Sequence, residues 1–127
     1  MLLALAALGG CGGAPPPGAS SPGGRLYLGT CAACHKPDGS GVGGMQPPLA
    51  GTPVTVGAPE VLLAWVMYGR RPPQLPRGVY AGAMPQFSYL SDADLAALLS
   101  YVRSSFGNHA APVSAAMVAQ ARAAHGG

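Results

Sequence analysis

The sequence of 127 residues has room for one compact domain, and its 20 glycines, 14 prolines and only 9% charged residues indicate many turns and irregular loops. The net charge of +3 comes from scattered residues, without the basic stripe and interleaved aromatic side chains of a nucleic-acid-binding domain, so we exclude that class. Below roughly 80 residues an apolar core rarely supplies more than about 3–5 kcal/mol, and the ends of this chain shorten its useful length, so we expect a buried cofactor, a metal or another staple to complete the core.

The N-terminal segment is typical of an export signal. An apolar run over residues 2–8 is followed by two glycines and Cys11. This run is too short to cross a membrane, which takes about 20 helical residues. Its end resembles the lipobox of bacterial lipoproteins, so we predict a signal peptide over residues 1–11 with lipidation at Cys11. The alternative is an ordinary signal peptide in which Cys11 has no role. The segment also departs from the usual export pattern, because no Lys or Arg precedes the apolar run.

The rest of the chain divides into a tether, a domain and a tail. Residues 12–24 are almost wholly Gly, Pro, Ala and Ser, which bury too little apolar surface to fold, so we expect a flexible tether. The domain is predicted over residues 25–109. The tail over residues 110–127 contains an Ala-rich segment that suits a short, weakly held helix.

Helices separated by long loops are predicted within the domain. The first helix runs from Leu26 through Cys31-Ala32-Ala33-Cys34-His35 and precedes a loop that is rich in Gly and Pro. A second helix begins at Pro59, ends at Gly69, and is apolar on nearly every face, so it must be buried. A third begins at the N-cap Ser91, carries its apolar residues on one face, and ends near Gly107.

The run Cys31-Ala32-Ala33-Cys34-His35 is the strongest chemical signal in the sequence. On one helical turn the two thiols point to the same side, where they can form thioethers with the vinyl groups of one haem. His35 then lies beneath the iron as a ligand. Two alternatives are weaker: a redox dithiol needs a strand-to-helix setting, and structural zinc needs four ligands.

A second axial ligand for the iron is available among the methionines. We predict Met84, because the loop that carries it, with Pro85 next, can lay a thioether over the distal haem face. Met67 lies in an apolar helix and Met117 in the tail, while Met45, in a Gly-rich loop, stays as the competing ligand. A thioether opposite an imidazole raises the reduction potential and closes the coordination sphere, which favours electron transfer over oxygen activation.

Residues 24–109 resemble class I cytochromes c. The haem motif near the start, the loop at residues 47–51, Met84-Pro85 late in the chain and a closing amphipathic helix follow the order of that family. The resemblance implies an all-α fold in which three main helices and long loops wrap around one covalent haem c.

The resemblance also implies specific contacts. Tyr27 is expected to pack on the last helix near Leu98 and Tyr101. The carbonyl of Pro47 is expected to accept the proton on the outer nitrogen of His35, the contact that fixes a ligating imidazole.

More narrowly, the run Met84-Pro85-Gln86-Phe87 and residues 101–108 are similar to the cytochrome subunits of periplasmic dehydrogenases that oxidise alcohols or sugar acids. Such subunits often carry three haem motifs, whereas this chain has one. The similarity implies a dehydrogenase as electron donor and an oxidase or another cytochrome as acceptor.

Several polar residues are candidates for contacts at the haem edge. Arg70, Arg71 and Arg77 precede Met84 and suit haem propionates or an acidic partner, with a solvated loop as the alternative. Trp65 is a candidate for a hydrogen bond to a propionate, although an apolar core position is the favoured interpretation.

Together these features predict an electron carrier without catalytic residues. We expect it at the periplasmic side of a bacterial membrane, anchored through Cys11 or otherwise soluble in the periplasm. The alternative from another class is a haem enzyme or gas-binding protein with an open iron site, such as a small peroxidase. A further interpretation is a fixed dehydrogenase subunit without a free carrier role.

Overall fold

The computed structural model describes residues 13–126, so the predicted signal peptide and Cys11 lie outside the described residues. The described chain holds six helices, and the only pairing of extended backbone in this range is an isolated bridge between Val42 and Gln46. The helices are α1 Pro22–Thr30, α2 Ala32–His35, α3 Pro53–Val56, α4 Pro59–Tyr68, α5 Asp92–Ser104 and α6 Ala115–Gly126. The predicted all-α class is confirmed. Between residues 13 and 126 no helix is long and apolar enough to cross a membrane.

Helix α1 begins before the predicted start of the domain. The hydroxyl of Ser21 accepts a hydrogen bond from the Gly24 amide at 3.0 Å, and Pro22 fits the first turn. Ala19, just before this cap, is only 7% exposed. The expectation of a flexible tether through residue 24 is therefore wrong at its C-terminal end, because a capped proline starts a helix in a segment whose composition is that of a linker.

The predicted first helix is present as two pieces, α1 and α2, that meet at Cys31. The amide of Cys31 donates to the Tyr27 carbonyl at 2.9 Å, and the amide of His35 donates to the Cys31 carbonyl at 2.9 Å. This hydrogen bonding carries the helical path through the junction. The following loop contains the short helix α3, which was not predicted and which Thr52 caps.

Helix α1 packs closely on α5. A Cβ atom on Gly23 would lie 2.2 Å from the carbonyl oxygen of Ala97, so only glycine permits this approach. The rings of Tyr27 and Tyr101 lie 5.5 Å apart, and Leu98 is fully buried in the same cluster. The contact that the resemblance implied for Tyr27 is present.

Helix α4 lies in a second and larger apolar cluster, and it has the predicted bounds. Pro59 is in its first turn, and Gly69 ends it in the left-handed conformation with φ of 67°. Met67 is fully buried, as expected for a core residue. The residues of the cluster come from α3, α4, α5, the loop before α5 and the tail: Val54, Leu62, Leu63, Val66, Met67, Phe87, Leu95, Leu99, Val113 and Val118.

Helix α5 begins as predicted and ends earlier. The Ser91 hydroxyl accepts from the Asp94 amide at 3.1 Å, which is the predicted N-cap. The helix stops at Ser104 rather than near Gly107, because Ser105 is extended and Phe106 turns into the left-handed region with φ of 59°. This turn lets Phe106 pack against the first helix.

The C-terminal helix α6 is held more firmly than predicted. Val118 is fully buried, and Val113 exchanges two hydrogen bonds with the hydroxyl of Ser100, at 2.9 and 3.0 Å. Arg122 forms an ion pair with Asp92 at 2.6 Å. The expectation of a loosely held tail is wrong, because Val113, just before α6, and Val118 and Arg122 within it attach the tail to α5 and the large cluster.

Candidate haem-binding site

His35 ends α2 in the geometry of a ligating histidine. Its side chain is buried, and its Nδ1 lies 2.8 Å from the carbonyl oxygen of Pro47, which accepts the Nδ1 proton. This hydrogen bond leaves Nε2 available to coordinate a metal. Burial lowers the pKa of His35, and the Pro47 carbonyl opposes that shift. The net effect favours the neutral imidazole, the form that binds a metal.

The turn after His35 brings Pro47 to the imidazole. Lys36 adopts a left-handed φ of 65°, and its carbonyl accepts a hydrogen bond from the Tyr27 hydroxyl at 2.6 Å. The Gly41 amide donates to the His35 carbonyl at 3.0 Å. A Cβ atom on Gly41 would lie 2.7 Å from the Pro47 oxygen, so glycine is needed for this close approach.

The two cysteines of the motif are free thiols. Cys31 is half-buried and Cys34 is exposed, and neither forms a disulfide. Burial raises the pKa of Cys31. Free thiols one helical turn apart are what thioether attachment to a haem requires. Within residues 13–126 no group of three or more His, Cys, Asp or Glu side chains lies close enough together to hold a metal ion.

Met84 lies in the loop between α4 and α5. Its side chain is partly buried against the large apolar cluster. The loop is tied to the segment after the haem motif, because the amides of Ala81 and Gly82 donate to the carbonyls of Gly44 and Met45, both at 2.9 Å. The side chain of Met45 is 44% exposed. The structure thus joins the loop of Met84 to the loop that leads from His35 to Pro47.

The other predicted contact residues take different positions. Trp65 is half-buried against the large cluster, which is the packing of a core residue. Arg70, Arg71 and Arg77 are exposed, and Arg71 donates to the Pro76 carbonyl within its own loop. All three arginines lie in the same loop as Met84, between α4 and α5.

Arg103 is a buried residue that sequence reasoning missed. It is 3% exposed and donates to the carbonyls of Thr55, Gly57 and Ala111 at 3.0, 2.8 and 2.7 Å. It therefore joins α5 to the end of the long loop after His35. The sequence gives only one indication of this role, which is that Arg103 lies beside the apolar face of α5. This position does not identify the carbonyls to which Arg103 donates.

Asn108 was expected only to mark the end of the third helix. Its side chain is buried, donates to the carbonyls of Leu49 and Val102, both at 2.9 Å, and accepts from the Gly51 amide at 2.7 Å. The loop that presents Pro47 to His35 is thus fixed to the end of α5. No local pattern predicts partners that lie more than fifty residues away.

These residues fit a haem with two axial ligands. The buried imidazole has one nitrogen committed to Pro47, two free thiols lie on the adjacent turn, and a thioether lies in a loop that is hydrogen-bonded to the segment between His35 and Pro47. Backbone and side-chain hydrogen bonds fix each loop to a helix. This donor set is the one that c-type haem attachment and histidine–methionine ligation need.

Comparison with known proteins agrees with this fit. The cytochrome c family model matches residues 20–106, more than half of the chain. The chain is 40% identical over 95 residues to the alcohol dehydrogenase (quinone) cytochrome c subunit of Gluconobacter oxydans, covering 73% of this chain and 20% of that protein. It is 36% identical over 107 residues to the gluconate 2-dehydrogenase cytochrome c subunit of Pantoea cypripedii, covering 81% and 24%.

A relative of similar size is also found. Cytochrome c-552 of Thermus thermophilus is 33% identical over 91 residues, covering 68% of this chain and 69% of that protein. The chain spans about one fifth to one quarter of the dehydrogenase subunits that it matches. From the family match and the helical fold, we conclude that the chain belongs to the cytochrome c family and binds haem c covalently.

Proposed function

We propose that this protein carries single electrons from a periplasmic or membrane dehydrogenase to a respiratory-chain acceptor, with Cys31, Cys34, His35 and Met84 holding the haem. The observation that carries the proposal is the 2.8 Å contact between His35 Nδ1 and the Pro47 carbonyl, in a chain of the cytochrome c family. When bound, the haem supplies the one-electron change between ferric and ferrous iron. The residues of the chain fix and enclose it.

Each residue of the set has a separate task. Cys31 and Cys34 provide the two thiols for covalent attachment. The Pro47 carbonyl fixes the ring plane of His35 and makes its Nε2 more basic. Met84 provides a soft thioether that favours the reduced state. Its partly buried position against the core supports it over Met45, whose side chain is 44% exposed.

A closed coordination sphere distinguishes this proposal from a haem enzyme or gas-binding protein. The test is carbon monoxide binding to the ferrous holoprotein at neutral pH, followed by visible absorption. We expect slow and weak binding, because Met84 occupies the sixth position. The Met84→Ala variant should bind the gas rapidly, and Met45→Ala should behave as the native protein does. Rapid, tight binding by the native protein would show that the iron site is open, against the proposal.

The relatives suggest the class of the electron donor. They are named as cytochrome subunits of alcohol, gluconate and fructose dehydrogenases, which supports a dehydrogenase donor. The exposed Arg70, Arg71 and Arg77 suit an acidic docking surface, and such attraction weakens with salt. Reduction by a quinone-dependent alcohol dehydrogenase should therefore slow at high salt. Replacing all three arginines with Ser should remove this salt dependence, whereas Arg25→Ser, on α1, should keep it.

Membrane attachment belongs to the same proposal. An anchor at Cys11 would keep the carrier at the periplasmic membrane surface beside its donor. Mass spectrometry of the mature N-terminus should show a diacylglyceryl adduct that is absent from Cys11→Ala. An unmodified N-terminus, cleaved at another position, would argue against the anchor and leave electron transfer unaffected.

A further inference from the structure

Helix α6 lies beyond residue 106, where the match to the cytochrome c family model ends. We infer that Arg122 of this helix is a positioning residue that holds Met84 on the haem iron by fixing the C-terminal end of the methionine loop. The inference rests on the proposed role of Met84 as an axial ligand.

One guanidinium group contacts three acceptors at the end of this loop. Arg122 donates from Nη1 to the Ser88 carbonyl at 2.8 Å, from Nη2 to the Leu90 carbonyl at 2.5 Å and from Nε to the Asp92 carboxylate at 2.6 Å. An exposed ion pair alone contributes little. Here the planar, rigid group also holds two backbone carbonyls, so it fixes the path of the chain from the loop into α5.

The segment between Met84 and Ser88 is anchored in the core at Phe87. The amide of Phe87 donates to the Val66 carbonyl of α4 at 2.9 Å, and its ring is buried. Val118 of α6 is fully buried in the cluster that contains Phe87 and against which Met84 packs. Helices α4 and α6 thus both support the segment that follows the methionine.

Hydrogen bonds fix the chain on both sides of Met84. On its N-terminal side, Ala81 and Gly82 are hydrogen-bonded to the loop after the haem motif. On its C-terminal side, Arg122 holds Ser88 and Leu90. Movement of the loop that carries a thioether takes the sulfur away from the iron. Loss of the Arg122 contacts should therefore let Met84 dissociate more often, while the fold persists through α4 and α5.

The experiment compares ferric holoproteins that carry Arg122→Ala, Arg122→Lys and Val113→Ala. Imidazole binding reports how often the sixth position opens, because it must displace the methionine. The near-infrared charge-transfer band of methionine-ligated ferric haem reports the bond directly. Far-ultraviolet circular dichroism reports folding. Val113→Ala is the control. It weakens the apolar packing of the tail but leaves the hydrogen bonds from Arg122 to Ser88 and Leu90 in place.

We expect imidazole to bind about tenfold faster to Arg122→Ala, which corresponds to about 1.4 kcal/mol for the opening of the site. On heating, this variant should lose the charge-transfer band before it unfolds, and its reduction potential should fall. Val113→Ala should lose the band and the fold together. Arg122→Lys, which keeps one charged donor, should be intermediate, and it serves for the comparison if the alanine variant does not fold.

Equal imidazole rates in the native protein and the folded Arg122 variants would overturn the inference. The same conclusion follows if band loss and unfolding coincide in these variants as in the control. A native protein without the charge-transfer band would instead contradict the proposed ligation by Met84, so the two failures are distinguishable.

Discussion

Tyr27 connects α1 to the turn that follows the haem motif. Its hydroxyl donates to the Lys36 carbonyl at 2.6 Å, and its side chain is fully buried. Burial raises the pKa of Tyr27, with smaller contributions from Cys31, Tyr101 and Asp38. The folded protein therefore stabilises the neutral, protonated phenol of Tyr27.

The Tyr27→Phe variant should lose about 1 kcal/mol of unfolding free energy at pH 7, because the Lys36 carbonyl loses its donor. In the native protein the contribution of Tyr27 is fully present below its unfolded pKa of about 10 and is lost as the pH rises toward the higher folded pKa. Between the two pKa values, each pH unit lowers the unfolding free energy of the native protein by about 1.4 kcal/mol. The native protein and Tyr27→Phe should thus reach equal stability near pH ~11.

Denaturant unfolding of the holoproteins across this pH range measures the effect. Tyr101→Phe is the matched control, because the buried Tyr101 hydroxyl has no hydrogen-bond partner among the described residues. Its stability at pH 7 should equal or exceed the native value, because the substitution removes a buried hydroxyl that lacks a partner in the described part of the chain. A difference between Tyr27→Phe and the native protein that stays constant up to pH ~11 would contradict the assigned titration.

At the scale of elements, the contact between α1 and α5 sets the position of the haem motif. Gly23 lies where α1 crosses α5, with the Ala97 carbonyl and the Tyr101 side chain against its Cα. Since α1 leads directly to Cys31 and α2, any displacement of α1 also moves the two thiols and His35. Gly23 therefore helps to set the position of the haem motif by allowing α1 to pack closely on α5.

A Gly23→Ala variant should lose about 1–3 kcal/mol of stability, because the new methyl group overlaps backbone that cannot move easily. Gly29→Ala, in the same helix, places its methyl group in open space and should gain up to about 1 kcal/mol through helix propensity. Guanidinium unfolding of both holoproteins measures the pair. Equal stabilities for the two variants would refute the close crossing.

Sequence patterns predicted the elements that depend on local chemistry. The caps at Ser91 and Gly69 were recognised because their residue types act on their own backbone. The firm docking of α6 was not predicted, since an Ala-rich segment gives a weak periodic signal and its attachment depends on Arg122 reaching acceptors about thirty residues away. The early start of α1 was missed because Pro22 to Gly24 read as linker.

At the scale of the whole molecule, the sequence predicts the haem-attachment motif but not the distant contacts that fix the loops around it. The haem motif is local, so Cys31, Cys34 and His35 were identified from spacing, and the Pro47 contact came from the family resemblance. The hydrogen bonds of Arg103 and Asn108 end on backbone carbonyls far along the chain. Every residue has such a carbonyl, so the sequence does not show which one a side chain will reach.

The whole molecule can be described as two apolar clusters with loops fastened across them. One cluster joins α1 to α5, and the other joins α4, α5 and α6. The loop after His35 is fixed to α5 by buried polar side chains, and the methionine loop is fixed to α4 and α6. His35 at the end of α2 and Met84 in the loop before α5 are thus carried by separate segments, each tied to the helices by hydrogen bonds.

The most direct test of this account is the visible spectrum of the holoprotein, produced in a host that attaches haem c, before and after Met84→Ala. We predict sharp low-spin bands in the reduced native protein, haem that resists acid–acetone extraction, and a shift to high spin in the variant, with Met45→Ala unchanged. Haem that is extracted by acid–acetone, or a native protein that is already high-spin, would contradict the assignment of Cys31, Cys34, His35 and Met84 to a closed electron-transfer site.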